Sequence, residues 1–175
     1  MRRVDILDRL LGHDYATTRE LLLQARRLND DQLDQVFDVD HGSVRATFAH
    51  MIGNVAIWSD LIDERPVDRK SLDPSIVGLL RAHERTYSEF ADLAREIRDR
   101  DRLDELFTDT LDTPATEKRF GGAIVHVITH NMHHRAQVIW MMNKLGVRGV
   151  TEGDALSWET SHEAIGVHGE DDIFE

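Results

Sequence analysis

The 175-residue chain reads as an all-α protein: a four-helix bundle with a long crossover connection and a short loop or hairpin insertion before the last long helix. Three observations predict this. Apolar residues recur in steps of three and four along four long stretches. Only three prolines occur, Pro66, Pro74 and Pro114, and each falls between those stretches. A hydrophobic share of 41% supplies one core rather than several.

The first stretch runs from about Val4 to Leu28. Val4, Leu7, Leu11, Thr18, Leu21, Ala25 and Leu28 keep the helical step, and the polar Asp14 falls in the same register. The second begins after "HGS", with Ser43 as N-cap, and ends near Arg65 before Pro66. Phe48, Met51, Ile52, Val55, Trp58, Leu61 and Ile62 form its apolar face. In "SLDPSIVGLL", Asp73 is placed to cap the orphan amides and Pro74 suits a first helical turn. Ile76, Leu80, Tyr87, Phe90, Ala94 and Ile97 then make a seam in which His83 holds one position. Phe107–Phe120, "FTDTLDTPATEKRF", changes to threonines, weak alternation and a proline, which predicts a loop or short hairpin. The fourth long helix follows Gly121-Gly122 and closes at Leu145-Gly146.

Residues 1–150 thus form the bundle and residues 151–175 an acidic C-terminal tail. The tail has eight acidic residues and no Lys or Arg. Its Leu156, Trp158, Ile165, Ile173 and Phe174 equip it to dock as well as to float.

With 33 Asp+Glu against 21 Lys+Arg, the formal net charge is −12. Such a chain repels phosphate backbones and anionic lipid, so neither nucleic acid nor a membrane surface is an expected partner. No apolar run approaches the roughly 20 residues of a membrane span, and acidic residues interrupt the segment after "MRR", unlike a signal peptide. The chain has no cysteine, which rules out disulfides, zinc-thiolate sites and a cysteine nucleophile. Thiol chemistry would need a thiol brought in as substrate. The expected compartment is the cytoplasm.

The densest chemical signal is "GGAIVHVITHNMHHRAQVIWMMNKLG", Gly121–Gly146, with His126, His130, His133 and His134 inside nine residues. At about 100° per residue, His134 lies in the apolar column Val127–His134–Met141 and His130 adjoins it one turn away. His126 and His133 drift to the flank. Two imidazoles four apart on one face can share a cation, as in the HExxH pair, or can simply belong to a solvated face. A stable site usually needs a third protein ligand. His50, in "TFAHMIGNVAIW", sits on the edge of its helix beside Ile57 and Leu61, at the rim of the core. Three neutral histidines without a carboxylate would hold a divalent ion and leave positions open. Asp14 and His83 interrupt apolar seams. Asp14 is a candidate to accept a hydrogen bond from a ligating imidazole. His83 is a candidate fourth ligand, proton-transfer group or satisfied core histidine.

"TFAHMIGNVAIW" and "HVITHNMHHRAQVIWMMNKLG" together resemble the motifs of the DinB-like (DinB/YfiT) superfamily of metalloenzymes, the second through its histidine, three residues, HHR-x-Q and leucine-glycine end. Carried over residue by residue, the family's metal histidines fall on His50, His130 and His134. Ala136 and Val55 stand where many relatives have glycine and glutamate. The resemblance implies a four-helix bundle, a nickel or zinc ion, frequent homodimers and, in some relatives, a low-molecular-weight thiol such as mycothiol or bacillithiol as cosubstrate.

The expected function is therefore a divalent-metal-dependent enzyme acting on a small molecule, by thiol-dependent transfer or by hydrolysis, with His83 and Asp14 as candidate catalytic residues. The rival expectation is a dimeric metal-binding stress or small-molecule-binding protein without turnover.

Overall fold

The computed structural model describes residues 4–69, 71–150 and 153–164. In chain order the elements are α1 (Ile6–Ala25), α2 (Asp30–Leu33), α3 (Val44–Ile62), α4 (Ile76–Asp99), β1 (Leu106–Asp109), β2 (Thr116–Arg119), α5 (Phe120–Lys144) and α6 (Ala155–Ala164). Among the described residues, no helix is long and apolar enough to cross a membrane.

Capping residues explain most helix starts. Asp5 accepts the Asp8 amide at 3.0 Å in a capping box at the head of α1. Ser43 accepts the Ala46 amide at 3.2 Å at the head of α3, as its position after "HG" predicts. The cap of α4 differs from expectation. Ser75, not Asp73, takes the orphan amide, that of Gly78, at 3.0 Å. Asp73 instead accepts the Ser75 amide at 3.0 Å across Pro74, so the proline lies before the helix. The start of α5 also shifts. The helix begins at Phe120, so the two glycines lie in its first turn instead of preceding it. The Gly121 amide donates to the Leu103 carbonyl at 2.8 Å, and a Cβ on residue 121 would stand 3.0 Å from that oxygen. Glycine here permits a close backbone approach. The segment expected to be a loop or hairpin is a two-stranded antiparallel ribbon pairing Leu106 with Arg119 through Asp109 with Thr116.

Cross-helix pairs set the directions of the long helices. Arg98, in the last turn of α4, meets Asp5 and Asp8 at the head of α1, so these two run antiparallel. Asn131 bonds Asp14 and Arg135 bonds Thr18, so α5 runs parallel to α1. His50 meets His130 while Trp58 meets His126, so α3 runs antiparallel to α5. Both α1 and α3 pack on α4 and α5, which makes a four-membered ring in which α3 and α4 are parallel neighbours. Residues 63–75 must then return the chain along the bundle. The 19 residues of α3 span about 28 Å, and the extended connection reaches about 45 Å. The connection is the predicted crossover.

The core has two apolar layers. One contains Leu11, Tyr15, Val55, Tyr87, Phe90, Phe120, Ile124 and Val127. The other contains Leu21, Leu22, Phe48, Met51, Leu79, Val138 and Met141. Between them, every long helix contributes polar side chains: Asp14 and Thr18 from α1, His50 from α3, His83 from α4, and Asn131, His134 and Arg135 from α5. The bundle therefore has a polar waist. Buried polar groups are tolerated only when bonded, and their pairing fixes how far along its axis each helix sits.

Beyond α5, residues 153–161 lie on α1. The Gly153 carbonyl meets the His13 ring, Trp158 packs edge-on against that ring at 6.0 Å, and Glu159 pairs with Arg9. Of the tail's apolar residues, Ile165, Ile173 and Phe174 lie outside the described residues.

Candidate metal centre

The α3 and α5 sides of the waist carry the histidines. His50 lies on the second turn of α3, half-buried, where its backbone faces α5. His130 and His134 lie four apart on α5, and His134 is 4% exposed. The Nε2 atoms converge: His130 Nε2 lies 3.2 Å from His50 Nε2 and 3.2 Å from His134 Nε2. Two nitrogens 3.2 Å apart, each about 2.0–2.1 Å from one ion, subtend about 100–105° at it, near the tetrahedral angle. The donor set suits a borderline divalent ion such as zinc or nickel, and His130 lies between His50 and His134, within 3.2 Å of each.

Electrostatics prepare these rings as ligands. Burial, with His41 and His134 nearby, pushes His50 down to about 4. Burial, with His134 and His50 nearby, pushes His130 down to about 4 as well. His134 is lowered by burial, partly opposed by its bond to Gln137. All three are neutral near pH 7, the form that ligates.

Partners behind the rings select tautomers. The Gln137 amide nitrogen donates to Asp40 Oδ2 at 2.9 Å, which turns its oxygen toward His134. His134 Nδ1–H donates to that oxygen at 2.8 Å, leaving a lone pair on Nε2. Bonds from Gln137 and His133 hold the Asp40 carboxyl below the ordinary carboxylate range. His130 Nδ1 lies 3.2 Å from the Asn54 amide nitrogen. With that nitrogen as donor, His130 keeps its proton on Nε2. A half-turn of the amide presents oxygen instead and moves the proton to Nδ1. Coordination through all three Nε2 atoms requires the second orientation.

Asp14 and His83 belong to other parts of the waist. Asp14, fully buried, accepts from Asn131 Nδ2 at 2.8 Å and from the Arg135 guanidinium, which also donates to Thr18 Oγ1 at 3.2 Å. The carboxylate thus serves Arg135 and Asn131, not the outer nitrogen of an imidazole. His83 Nε2–H donates to the Tyr15 carbonyl at 3.1 Å, and its ring stacks on Tyr15 at 5.2 Å. Burial pushes His83 down to about 4. Among the described residues, neither makes a hydrogen bond or ring contact with His50, His130 or His134. His126 and His133 lie on the flank, as their directions predict: His126 packs edge-on against Trp58 at 5.1 Å, and His133 lies 3.5 Å from Asp40.

Sequence reasoning assigned nothing to His41, Asp40, Asn54 or Gln137. His41 stacks on His50 with ring centroids 3.7 Å apart, and one nitrogen from each of His41, His50 and His134 lies within 4.8 Å of the others. Gln137 had a usable signal, the HHR-x-Q spacing that sets it one turn from His133 and His134. The two loop residues had none, because their approach depends on how the loop folds back.

The depressed histidines predict an acid-labile apoprotein. His50, His83 and His130 titrate near 4 when folded and near 6.5 when unfolded. Below about pH 6.5 the unfolded chain therefore binds more protons, and stability falls as pH drops toward 4. Chelator-treated protein should melt at progressively lower temperature over that window and show little pH dependence from these groups above it. A flat melting profile between pH 6.5 and 4 would contradict the burial of these rings.

Comparison with known proteins agrees with this architecture. The crystal structure of a DinB-like protein from Bacillus cereus ATCC 10987 superimposes with a TM-score of 0.60, covering 79% of this chain and 91% of that one at 16% identity, a likeness of fold. No curated protein sequence matches the chain. The family model described as DinB superfamily matches residues 14–138, which include Asp14 and all of His50, His130 and His134, and the chain belongs to that superfamily.

Proposed function

We propose that this protein is a divalent-metal-dependent enzyme whose ion, zinc or nickel, is held by His50, His130 and His134. One observation carries the reading: three neutral imidazoles from two helices meet, with His130 Nε2 3.2 Å from the Nε2 atoms of both His50 and His134 and the His50 and His134 rings 4.7 Å apart. A bound divalent ion supplies Lewis acidity and lowers the pKa of a coordinated water or thiol. The chain's own residues hold and orient it. His50 and His130 stay deprotonated through burial, Gln137 presents the lone pair of His134, and Asn54 governs that of His130.

The reaction we favour is transfer to or from a small-molecule thiol, with hydrolysis second. The absence of cysteine means that a thiolate nucleophile must enter with the cosubstrate. We assign Asp14 and His83 a positioning role, since their bonds tie α5 to α1 and α4 to α1 and so fix where α5 presents its two histidines. A proton-transfer role for His83 would require it to give up the Tyr15 carbonyl.

The test loads the protein with zinc or nickel and supplies a low-molecular-weight thiol with electrophilic acceptors, alongside activated esters. Thioether or ester-cleavage product that disappears on chelation supports the enzyme. A thiol that raises the melting temperature of the metal-loaded protein but yields no product across acceptors would instead support the binding-module rival.

A further inference from the structure

The loop between α2 and α3 is built to lie over the histidines. Phe37 packs edge-on against Trp140 of α5 at 5.6 Å. Asp40 accepts from Gln137 of α5 at 2.9 Å. The Phe37 amide donates to the Gly42 carbonyl at 2.6 Å and the Gly42 amide to the Val39 carbonyl at 2.9 Å, closing a tight turn at Gly42, whose φ is +74°. Positive φ suits glycine, and the turn carries His41 directly onto the head of α3. Its ring stacks on His50 at 3.7 Å and lies 5.1 Å from the His134 ring.

From this we infer that His41 is a fourth imidazole ligand of the centre, delivered by a loop fastened to α5 through Phe37 and Asp40 just ahead of it. The inference rests on the metal reading above and deepens it. One nitrogen each from His41, His50 and His134 already falls within 4.8 Å of the others, and His130 Nε2 lies 3.2 Å from the Nε2 atoms of both His50 and His134. The rings of His41 and His50 are 24° from parallel. A His41 nitrogen lies within 4.8 Å of a His50 nitrogen and a His134 nitrogen, and rotation of its side chain turns that nitrogen out of the stack toward them. The Asp40–Gln137 bond keeps the loop backbone within reach during that rotation.

Four imidazoles fill a tetrahedral shell. The resting ion is then closed to small anions, and substrate gains access when His41 withdraws with its loop. This differs from a three-histidine centre, which holds a water or anion at rest.

Cobalt(II)-loaded full-length protein distinguishes the two, read by X-ray absorption and by azide titration of the visible bands. Four imidazoles and bands indifferent to azide are expected for the natural chain. His41→Ala should show three imidazoles plus oxygen, azide-responsive bands, and cobalt affinity weaker by more than about tenfold. His41→Phe keeps a ring on His50 but has no donor nitrogen, and should behave like His41→Ala. Circular dichroism and melting confirm that both variants remain folded. Three imidazoles in the natural chain, or full cobalt affinity in His41→Phe, would overturn the fourth ligand and leave the three-histidine site standing. Failure of the natural chain to retain cobalt or zinc would overturn both readings.

Discussion

His134→Ala should purify with its metal content cut to near zero while the bundle stays folded. Removing a hydrogen-bond partner of a ligating histidine already costs about 10–100-fold in metal affinity, so loss of the ligand itself should exceed about 100-fold. His134 is the most informative of the three because its ring is nearly buried, its Nδ1 is committed to Gln137 and its Nε2 has the His130 nitrogen as neighbour. The alanine leaves a small cavity among the neighbouring rings of His50 and His130 and removes no buried charge, so a modest fall in melting temperature accompanies the loss. Plasma mass spectrometry of untagged protein, run beside His50→Ala and His130→Ala, checks it. Near-stoichiometric metal retained in all three single variants would mean that the ion, if present, sits elsewhere.

Helical periodicity made the bundle readable because each long helix buries one continuous stripe, and a stripe is a local property of a few turns. The same arithmetic put His130 and His134 on one face and left His126 and His133 at its flank, where the structure has them. Helix ends were less readable. Asp73 and Ser75 are both good caps two residues apart, and the choice between them depended on Asp73 bridging Pro74. The Gly121-Gly122 pair looked like a stop before a helix, yet its use is a close approach of Gly121 to Leu103, eighteen residues away in sequence. The four-residue α2 shows a capping box from Asn29 to Gln32 in plain sight, "NDDQ", and is too short to leave a periodic stripe.

The polar interruptions of the apolar seams had the same origin although they serve different ends. Asp14, His83 and His134 each break a hydrophobic column at mid-helix, and side by side in sequence they look alike. What separates them is the neighbour each meets across the waist. His134 meets two other imidazoles, His83 meets a backbone carbonyl, and Asp14 meets a guanidinium. Partner identity is a long-range property, because Asp14 and Arg135 lie on helices at opposite ends of the bundle's chain path. A column position tells that a polar residue is buried; only the fold tells whether it is bonded for structure or presented for chemistry.

Arg135→Ala should be among the most destabilising single substitutions in the protein. Asp14 is fully buried and Arg135 is 4% exposed. Removing the guanidinium leaves the carboxylate with only neutral partners, Asn131 and the Tyr87 hydroxyl, and breaking a buried ion pair from one side costs about 3–5 kcal/mol. For a domain of this size, about 2–4 °C of melting temperature accompanies each kcal/mol, so a drop of about 6–20 °C is expected. Replacing both partners tests the cause. In Asp14→Leu with Arg135→Met, no charge is left buried, and stability should return close to that of the natural chain. Metal affinity of the double variant adds a second reading. The pair ties α5 to α1 at Arg135, the residue next to His134, so a repacked waist that slides α5 along its axis should weaken metal binding even with stability restored. Equal stability of the single and natural proteins would show that Asp14 takes a proton or finds water when Arg135 is gone, and the waist would then owe its order to packing alone.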